Sequence, residues 1–211
     1  RTPLAVVRSG LESVEKCSNE EERNHFLHLM SEETVHMKRL IDDMLLLANS
    51  DADTLTIKPE ACQPDLLLLD TYEKFETLAK KNGLHLILTL PEEILPDCFC
   101  DIHRTEQIFS IIVDNALCYT PSGGKVTLSC HAENEMLCFL FEDTGCGISE
   151  EKKSHIFERF YRADDAHTDR EHFGLGLCIA KELTEKQNGN IQVVDAPISG
   201  SCFMVQLPCA L

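Results

Sequence analysis

Asp143 lies in a short segment whose residue types could hold a flat polar ligand. The segment DTGCGIS, residues 143–149, follows an apolar stretch that predicts a strand. A carboxylate at a strand end accepts hydrogen bonds, and glycines at alternate positions, Gly145 and Gly147, let a ligand approach the backbone closely. Taken alone the pattern is weak, because Asp followed by Gly also makes an ordinary turn.

A second segment, FGLGLCIAKEL at 173–183, places Gly174 and Gly176 at the start of a predicted helix. The free backbone N–H groups and the dipole of a helix N-terminus favour a phosphate. The segment lacks the third glycine of a dinucleotide fingerprint and the Lys-Ser/Thr of a P-loop. A glycine-rich junction between two helices is therefore the alternative interpretation.

The third segment, IIVDNALCYTP at 111–121, predicts a helix with Ile111, Asn115 and either Cys118 or Tyr119 on one face. An amide on an otherwise apolar helix needs a hydrogen-bonding partner, and a metal-bound phosphate supplies one. For this segment alone, an Asn that caps a neighbouring loop is the favoured alternative.

The elements around these segments alternate between strands and helices. From Leu55 onward the pattern predicts a strand at 54–60, a helix that Gly83 ends, two strands, the helix with Asn115 and a hairpin that turns at ENE. A polar stretch from Ser149 to Phe173, a helix and two closing strands follow. Interleaved strands and helices predict a two-layer α/β or α+β sandwich.

Ahead of this region, apolar residues recur at helical and then heptad spacing, which predicts two amphipathic helices in a hairpin. We expect Ser18 to cap the second helix, with Glu21 completing a capping box. A second copy of the hairpin would bury both apolar seams in a four-helix bundle, although Glu33 interrupts one seam. Packing against the rest of the chain is the alternative.

Composition excludes one class of partner. The chain has 211 residues and a formal net charge of −17, and no basic face for nucleic acid is visible. Eleven cysteines without a CxxC pair do not predict a zinc site and favour a reducing, cytosolic compartment. No apolar run approaches the length of a membrane span.

Taken in order, the three segments resemble the boxes of the sensor histidine kinases of two-component systems. RTPLAV at the start is similar to the tail of the phosphoacceptor motif H-E-x-R-T-P-L, and IFERFYR is similar to the F box. IIVDNALCYTP matches the N box, EDTGCGIS the G1 box and HFGLGLCIA the G2 box, and RLIDDMLLLA is similar to the second bundle helix.

The resemblance implies an α+β chain in two parts. Residues 1–52 would form a helical hairpin, half of a dimeric four-helix bundle, and 53–211 a two-layer ATP-binding domain of the histidine kinase/gyrase type. It implies transfer of the γ-phosphoryl of ATP to a His and then to an Asp of a response regulator, with Mg²⁺ as cofactor. It also implies the cytoplasmic portion of a membrane-anchored bacterial sensor, with the membrane reached only through segments missing from this chain.

The resemblance further implies roles for residues. Asp143 would accept the adenine amino group, Asn115 would coordinate Mg²⁺, and Arg162 would be a charge clamp near the transferred group. Phe160 would anchor a lid over 149–173, and Thr2 would orient water for dephosphorylation of the regulator. The other residues expected at the nucleotide are Tyr119, Gly145, Gly147, Ile148, Gly174, Leu175, Gly176 and Leu177.

The sequence also departs from the family pattern. The phosphoacceptor His would lie just before Arg1, so we expect the chain to be a fragment. Ile111, Cys118 and His172 replace a polar residue, a cation and a glycine of the family's nucleotide site. Loss of the polar ligand and loss of the cation would each weaken phosphate binding by about 1 to 3 kcal/mol. A nucleotide-binding regulatory module with weak or no transfer is therefore the second hypothesis, and a gyrase- or mismatch-repair-type ATPase is the third.

Overall fold

The computed structural model describes residues 2–17, 19–162, 173–196 and 200–210. The expectations for the side chain of Thr2, for His172 and for the middle of the predicted lid lie outside the described residues. The described residues group into two compact units, of which the first runs to Thr54 and includes Phe173. The second unit holds the remainder.

The first unit is built from two helices, α1 (Thr2–Lys16) and α2 (Glu20–Asp51), which pack against each other. A Cβ added to Gly10 would lie 2.6 Å from Cγ of Met30, so the Met30 side chain rests directly on the backbone of α1. None of the described helices combines the length and the apolar character that a membrane span requires.

The N-cap of α2 differs from the prediction. Asn19 is the capping residue, and its side-chain oxygen accepts the backbone N–H of Glu21 at 3.0 Å. The prediction of Ser18 was therefore wrong by one residue, because Ser and Asn cap a helix about equally well and the sequence places them side by side. Ser18 itself lies outside the described residues.

The second unit is a five-stranded sheet covered by helices, together with a small two-stranded sheet. In the large sheet the strand order is β2-β4-β5-β7-β6, with β2 and β4 parallel and the other pairs antiparallel. The small sheet pairs β1 with β3. The strands are β1 (Glu60–Cys62), β2 (His85–Thr89), β3 (Cys98–Cys100), β4 (Lys125–Glu133), β5 (Met136–Asp143), β6 (Asn190–Asp195) and β7 (Ser201–Pro208).

Helices α3 (Pro64–Lys81), α4 (Ile102–Tyr119) and α6 (Gly176–Glu185) lie side by side against the large sheet, and a short helix, α5 (Glu150–Lys153), follows β5. The predicted two-layer arrangement is therefore confirmed. Its core centres on Phe109 of α4, which is fully buried with ring centroids 4.9 Å from Phe139 and 5.0 Å from Phe141.

Two local features refine the sequence predictions. The strand predicted at 54–60 begins only at Glu60, because the backbone N–H of Lys58 donates to Oδ2 of Asp101 at 2.9 Å instead of joining a ladder. The hairpin between β4 and β5 turns at Asn134 and Glu135, whose φ values of 50° and 64° are those of a type I′ turn.

The Phe109 cluster gives the first test. We expect Phe109→Ala to lower the free energy of unfolding of the second unit by about 3 to 5 kcal/mol, because it leaves a cavity between two buried rings. Phe99→Ala, on the exposed side of β3, should cost less than about 1 kcal/mol. The three tyrosines all lie in the second unit and the chain has no Trp, so tyrosine fluorescence during urea unfolding reports this unit alone. Equal losses in the two variants would contradict the assigned core.

Candidate functional site

Asp143, the last residue of β5, has a buried carboxylate. Its residue is only 5% exposed, and it points to the same sheet face as the buried Phe141 and Phe139. Oδ1 accepts the backbone N–H of Gly145 at 2.8 Å, and the backbone N–H of Ser201 donates to the same carboxylate. Burial raises the pKa of Asp143, and the two hydrogen bonds lower it by less. A carboxylate has about four lone-pair sites, so these two donors leave it able to accept another hydrogen bond.

Glycines surround this carboxylate and leave no room for side chains. A Cβ on Gly145 would lie 2.5 Å from the carbonyl oxygen of Tyr119, and one on Gly147 would lie 3.1 Å from the carbonyl oxygen of Gly200. A Cβ on Gly200 would overlap the carbonyl oxygen of Asp143. Three backbone segments therefore meet beside Asp143, and glycine is required where they pack together.

Helix α4 connects this corner to the start of α6. Ile111, Asn115 and Tyr119 are four residues apart and so share one face. Cγ2 of Ile111 lies 3.2 Å from the place of a Cβ on Gly176, the first residue of α6, while the Tyr119 carbonyl lies beside Gly145. The face thus spans about 12 Å, at 1.5 Å per residue, with the half-buried Asn115 in its middle.

The chain leading into α6 is held by a close backbone contact. The N–H of Phe160 donates to the carbonyl of Gly174 at 2.9 Å, and both residues have left-handed φ values, 64° and 72°. A Cβ on Gly174 would lie 2.7 Å from the carbonyl of Tyr161. Gly174 therefore cannot be helical, which explains why α6 begins at Gly176 rather than at the predicted Gly174.

The remaining predicted residues occupy nearby elements of the second unit. Leu175 is buried, Leu177 and Ile148 are half-buried, and Arg162 and Phe160 are exposed. The neighbouring Phe157 packs edge-to-face on Phe203, with ring centroids 6.5 Å apart, and so fixes this segment to β7.

Sequence reasoning missed Gly200, which lies closest to the Asp143 backbone. The only signal was a Ser-Gly-Ser turn before the last strand, and such a turn is also typical of an ordinary hairpin. It also missed Thr144, whose Oγ1 accepts the backbone N–H of Lys125 at 2.9 Å and ties the loop after Asp143 to β4.

Two family profiles match the chain. Residues 100–211 match the histidine kinase-, DNA gyrase B-, and HSP90-like ATPase family, and residues 1–53 match the His Kinase A (phospho-acceptor) domain. The chain belongs to this ATPase family, and the match of its N-terminal helices to the phospho-acceptor domain agrees with the predicted resemblance to sensor histidine kinases.

Similar proteins agree with this assignment. The chain is 31% identical over 216 residues to the adaptive-response sensory kinase SasA of Rippkaea orientalis, covering 99% of this chain and 55% of SasA. It thus spans about half the length of that relative. Among solved structures, the Acinetobacter baumannii histidine kinase AdeS has a TM-score of 0.77 at 21% identity, covering 100% of this chain and 97% of AdeS. Histidine kinase ThkA, in complex with response regulator protein TrrA, has a TM-score of 0.76 at 18% identity, covering 99% and 58%.

The backbone crossing at Gly200 can be tested with a matched pair of glycines. Gly200 and Gly123 have similar left-handed φ values, 91° and 86°, so alanine strains both backbones by a similar amount, about 1 to 2 kcal/mol. Only at Gly200 does the new Cβ overlap Asp143, whereas a Cβ on Gly123 meets nothing within 4 Å. We expect Gly200→Ala to lower the urea midpoint of the second unit well below that of Gly123→Ala. Identical midpoints would show that the backbones of Gly200 and Asp143 are not in close contact.

Proposed function

We propose that this chain is the ATP-dependent kinase core of a two-component sensor. Residues 53–211 bind ATP with Mg²⁺, and residues 1–52 supply the dimerising hairpin. The γ-phosphoryl group passes to a His and then to an Asp of a response-regulator receiver domain. The observation that carries this proposal is the buried, incompletely satisfied carboxylate of Asp143 inside a cradle of glycines.

The corner around Asp143 fits an adenine base. The free acceptor capacity of the carboxylate suits an exocyclic amino group, and Gly145 and Gly147 give the ring access to the backbone. We assign Tyr119 and Ile148, at the end of α4 and in the following loop, to the edges of the same pocket. Because the carboxylate is buried, water competes weakly for its hydrogen bonds, which favours selective recognition.

The α4 face and the start of α6 fit the phosphates. Mg²⁺ keeps several of its waters and takes only one or two protein oxygens as ligands. The side-chain oxygen of Asn115 is therefore enough to bind it together with the phosphates. When bound, this ion neutralises phosphate charge during transfer. Residues 174–177 lie at the beginning of α6. We propose that their backbone N–H groups bind the phosphates there, where the helix dipole favours an anion.

Arg162, Phe160 and Thr2 are the remaining residues to which we assign a role. Arg162 and Phe160 are exposed, and the side chain of Thr2 lies outside the described part of the chain. Arg162 places a positive charge at the end of the F-box segment, and we propose that it stabilises the transferred group. Phe160, held beside Gly174, positions the chain that covers the nucleotide. Thr2 is proposed to orient the water that dephosphorylates the regulator.

The hairpin leaves apolar side chains in solvent, which supports a homodimer. Large residues that are exposed by half or more occur on both helices, and a second copy would bury them in a four-helix bundle. They are Leu4, Leu11, Val35, Ile41, Met44 and Leu45. The complex of ThkA with the response regulator protein TrrA supports a response regulator as a partner.

We place this part of the sensor in the cytoplasm, with any membrane anchor in segments outside this chain. None of the cysteines in the described part of the chain forms a disulfide, which fits a reducing compartment. ATP and a receiver domain are available there.

A second candidate is a regulatory module that binds nucleotide and transfers phosphate poorly. The contact of Ile111 with Gly176 favours it, because an apolar side chain occupies the place where α4 meets the phosphate-facing end of α6. Cys118, about two turns further along α4, stands where the family has a cation and carries no positive charge itself.

One assay separates the two candidates. A chain extended upstream through the phosphoacceptor His is incubated with Mg²⁺ and ATP labelled in the γ-phosphate. The kinase predicts an acid-labile, alkali-stable label on the protein. Nucleotide binding without any label would establish the regulatory module instead.

Asp143→Asn should separate binding from folding. Because burial raises the pKa of Asp143, the folded protein binds a proton there more tightly than the unfolded chain does. This contribution to stability is complete at a pH below the ordinary Asp pKa of about 3.9, and it is lost as the pH rises through the raised pKa of the folded state. At pH 7 the charge therefore opposes folding, and the variant should be as stable as the wild type or more so, within about 1 kcal/mol. ATP affinity, measured by calorimetry, should fall at least about tenfold.

Glu142→Gln is the matched control, because it removes one charge from the opposite face of β5. Its ATP affinity should stay at the wild-type value. Unchanged ATP affinity in Asp143→Asn would place the adenine pocket elsewhere.

Restoring a cation on α4 should strengthen phosphate binding. Cys118→Lys is expected to tighten ATP binding by about ten- to a hundredfold, since one charge-assisted hydrogen bond contributes about 1.5 to 3 kcal/mol. His103→Lys adds a similar charge to the exposed beginning of the same helix and should leave affinity unchanged. Equal affinities in both variants would mean that Cys118 does not face the phosphates.

A further inference from the structure

Three cysteines meet on one face of the small β1–β3 sheet. Cys62 pairs directly with Cys98, and Cys100 lies two residues further along the same strand, so all three side chains share a face. Their Sγ atoms all lie within 4.8 Å of one another, and Cys62 Sγ is 3.4 Å from Cys100 Sγ. This cluster has no part in the nucleotide site proposed above.

The three thiols differ in solvent exposure, so a small ion bound between them would be enclosed on two sides and reachable from the side of Cys62. Cys98 and Cys100 are fully buried, whereas Cys62 is half-buried at the edge of the sheet. The adjacent carboxylate of Asp101 is used elsewhere, because it accepts the backbone N–H groups of Lys58 and Arg104. The cluster therefore offers sulfur ligands, which prefer thiophilic ions over Mg²⁺ or Ca²⁺.

We propose that Cys62, Cys98 and Cys100 form a binding site for a thiophilic d¹⁰ cation, Cu⁺ or Zn²⁺. A metal–sulfur bond of about 2.3 Å places sulfurs of a tetrahedral site about 3.8 Å apart. The Cys62–Cys100 separation of 3.4 Å is within about 0.4 Å of this value and no pair is more than 4.8 Å apart, so small side-chain rotations are enough to form the site. Cu⁺ accepts three thiolates alone, while Zn²⁺ takes a water as fourth ligand on the open side at Cys62. Each thiol releases its proton to solvent as its metal–sulfur bond forms, and no redox step is needed.

Metal binding at this cluster would stabilise the chain just before the N-terminus of α4. The three ligands connect residue 62 to residues 98–100, and the next residue, Asp101, is the N-cap of α4. An ion that binds only the folded state raises its stability by mass action. We therefore expect the bound ion to raise the thermal midpoint of the second unit.

Binding is measured on the full chain under reducing conditions, with Zn²⁺ and Cu⁺ added in separate samples and loose metal removed by a weak chelator. Elemental analysis should find a single ion per chain in the wild type. Cys62→Ala is the main variant, because its half-buried edge position disturbs folding least, and it should lose the ion. Cys98→Ala and Cys100→Ala should lose it as well.

Control variants remove cysteines outside the cluster. Cys130→Ala and Cys178→Ala each remove one buried thiol, and Cys146→Ala removes an exposed one. All three should retain the ion. Metal content that falls equally in cluster and control variants would overturn the proposal, as would a wild type that retains neither ion.

A measurement on the unaltered protein avoids any effect of substitution on folding. Metal should protect Cys62 from alkylation, mapped by mass spectrometry, while the exposed Cys146 reacts at the same rate with and without metal. Substitution with Co²⁺ should produce the intense thiolate-to-metal absorption in the near ultraviolet. Absence of both signals would contradict the site. Because neither signal involves ATP, this result is independent of the kinase assay.

Discussion

The burial of one carboxylate, that of Asp143, is the constraint on which the candidate site depends. β5 lies between β4 and β7 in the sheet, so its last residue is enclosed by neighbouring strands. A buried charge is unfavourable unless it is hydrogen-bonded, and the N–H groups of Gly145 and Ser201 offset only part of that cost. The glycine at 200 is required because any side chain there would overlap the Asp143 backbone. The Asp143 carboxylate thus keeps the capacity to accept a further hydrogen bond.

Helix α4 fixes the position of the start of α6 relative to the corner around Asp143. One face of the helix is fixed by Phe109 between two buried rings, and its N-terminus is capped by Asp101. Asn115, six residues after Phe109, lies on the flank of this buried face, between the Asp143 corner and the start of α6. Because the core contacts prevent the helix from sliding or rotating, the distance between the proposed base and phosphate positions is set by packing rather than by the ligand.

Local patterns in the sequence were enough to predict most elements and the family. The alternation in β4 and β5 and the helical spacing in α4 follow from which faces are buried, and each is visible within a dozen residues. Features that depend on distant partners were not predictable. Lys58 leaves the strand pattern because its N–H bonds to Asp101, 43 residues away. Cys62 joins Cys98 and Cys100 only through strand pairing, and Gly200 gains its importance only when β7 lies beside β5.

The proposed role of Asp143 in recognising the base is tested most directly with a nucleotide that lacks the exocyclic amino group. ITP carries a carbonyl oxygen where ATP carries the amino group, so it would face the buried carboxylate with an acceptor instead of a donor. Calorimetric titration of the wild type should show ATP binding at least about tenfold more tightly than ITP, and Asp143→Asn should lose most of that preference. Equal affinity of the wild type for the two nucleotides would show that Asp143 does not recognise the adenine amino group.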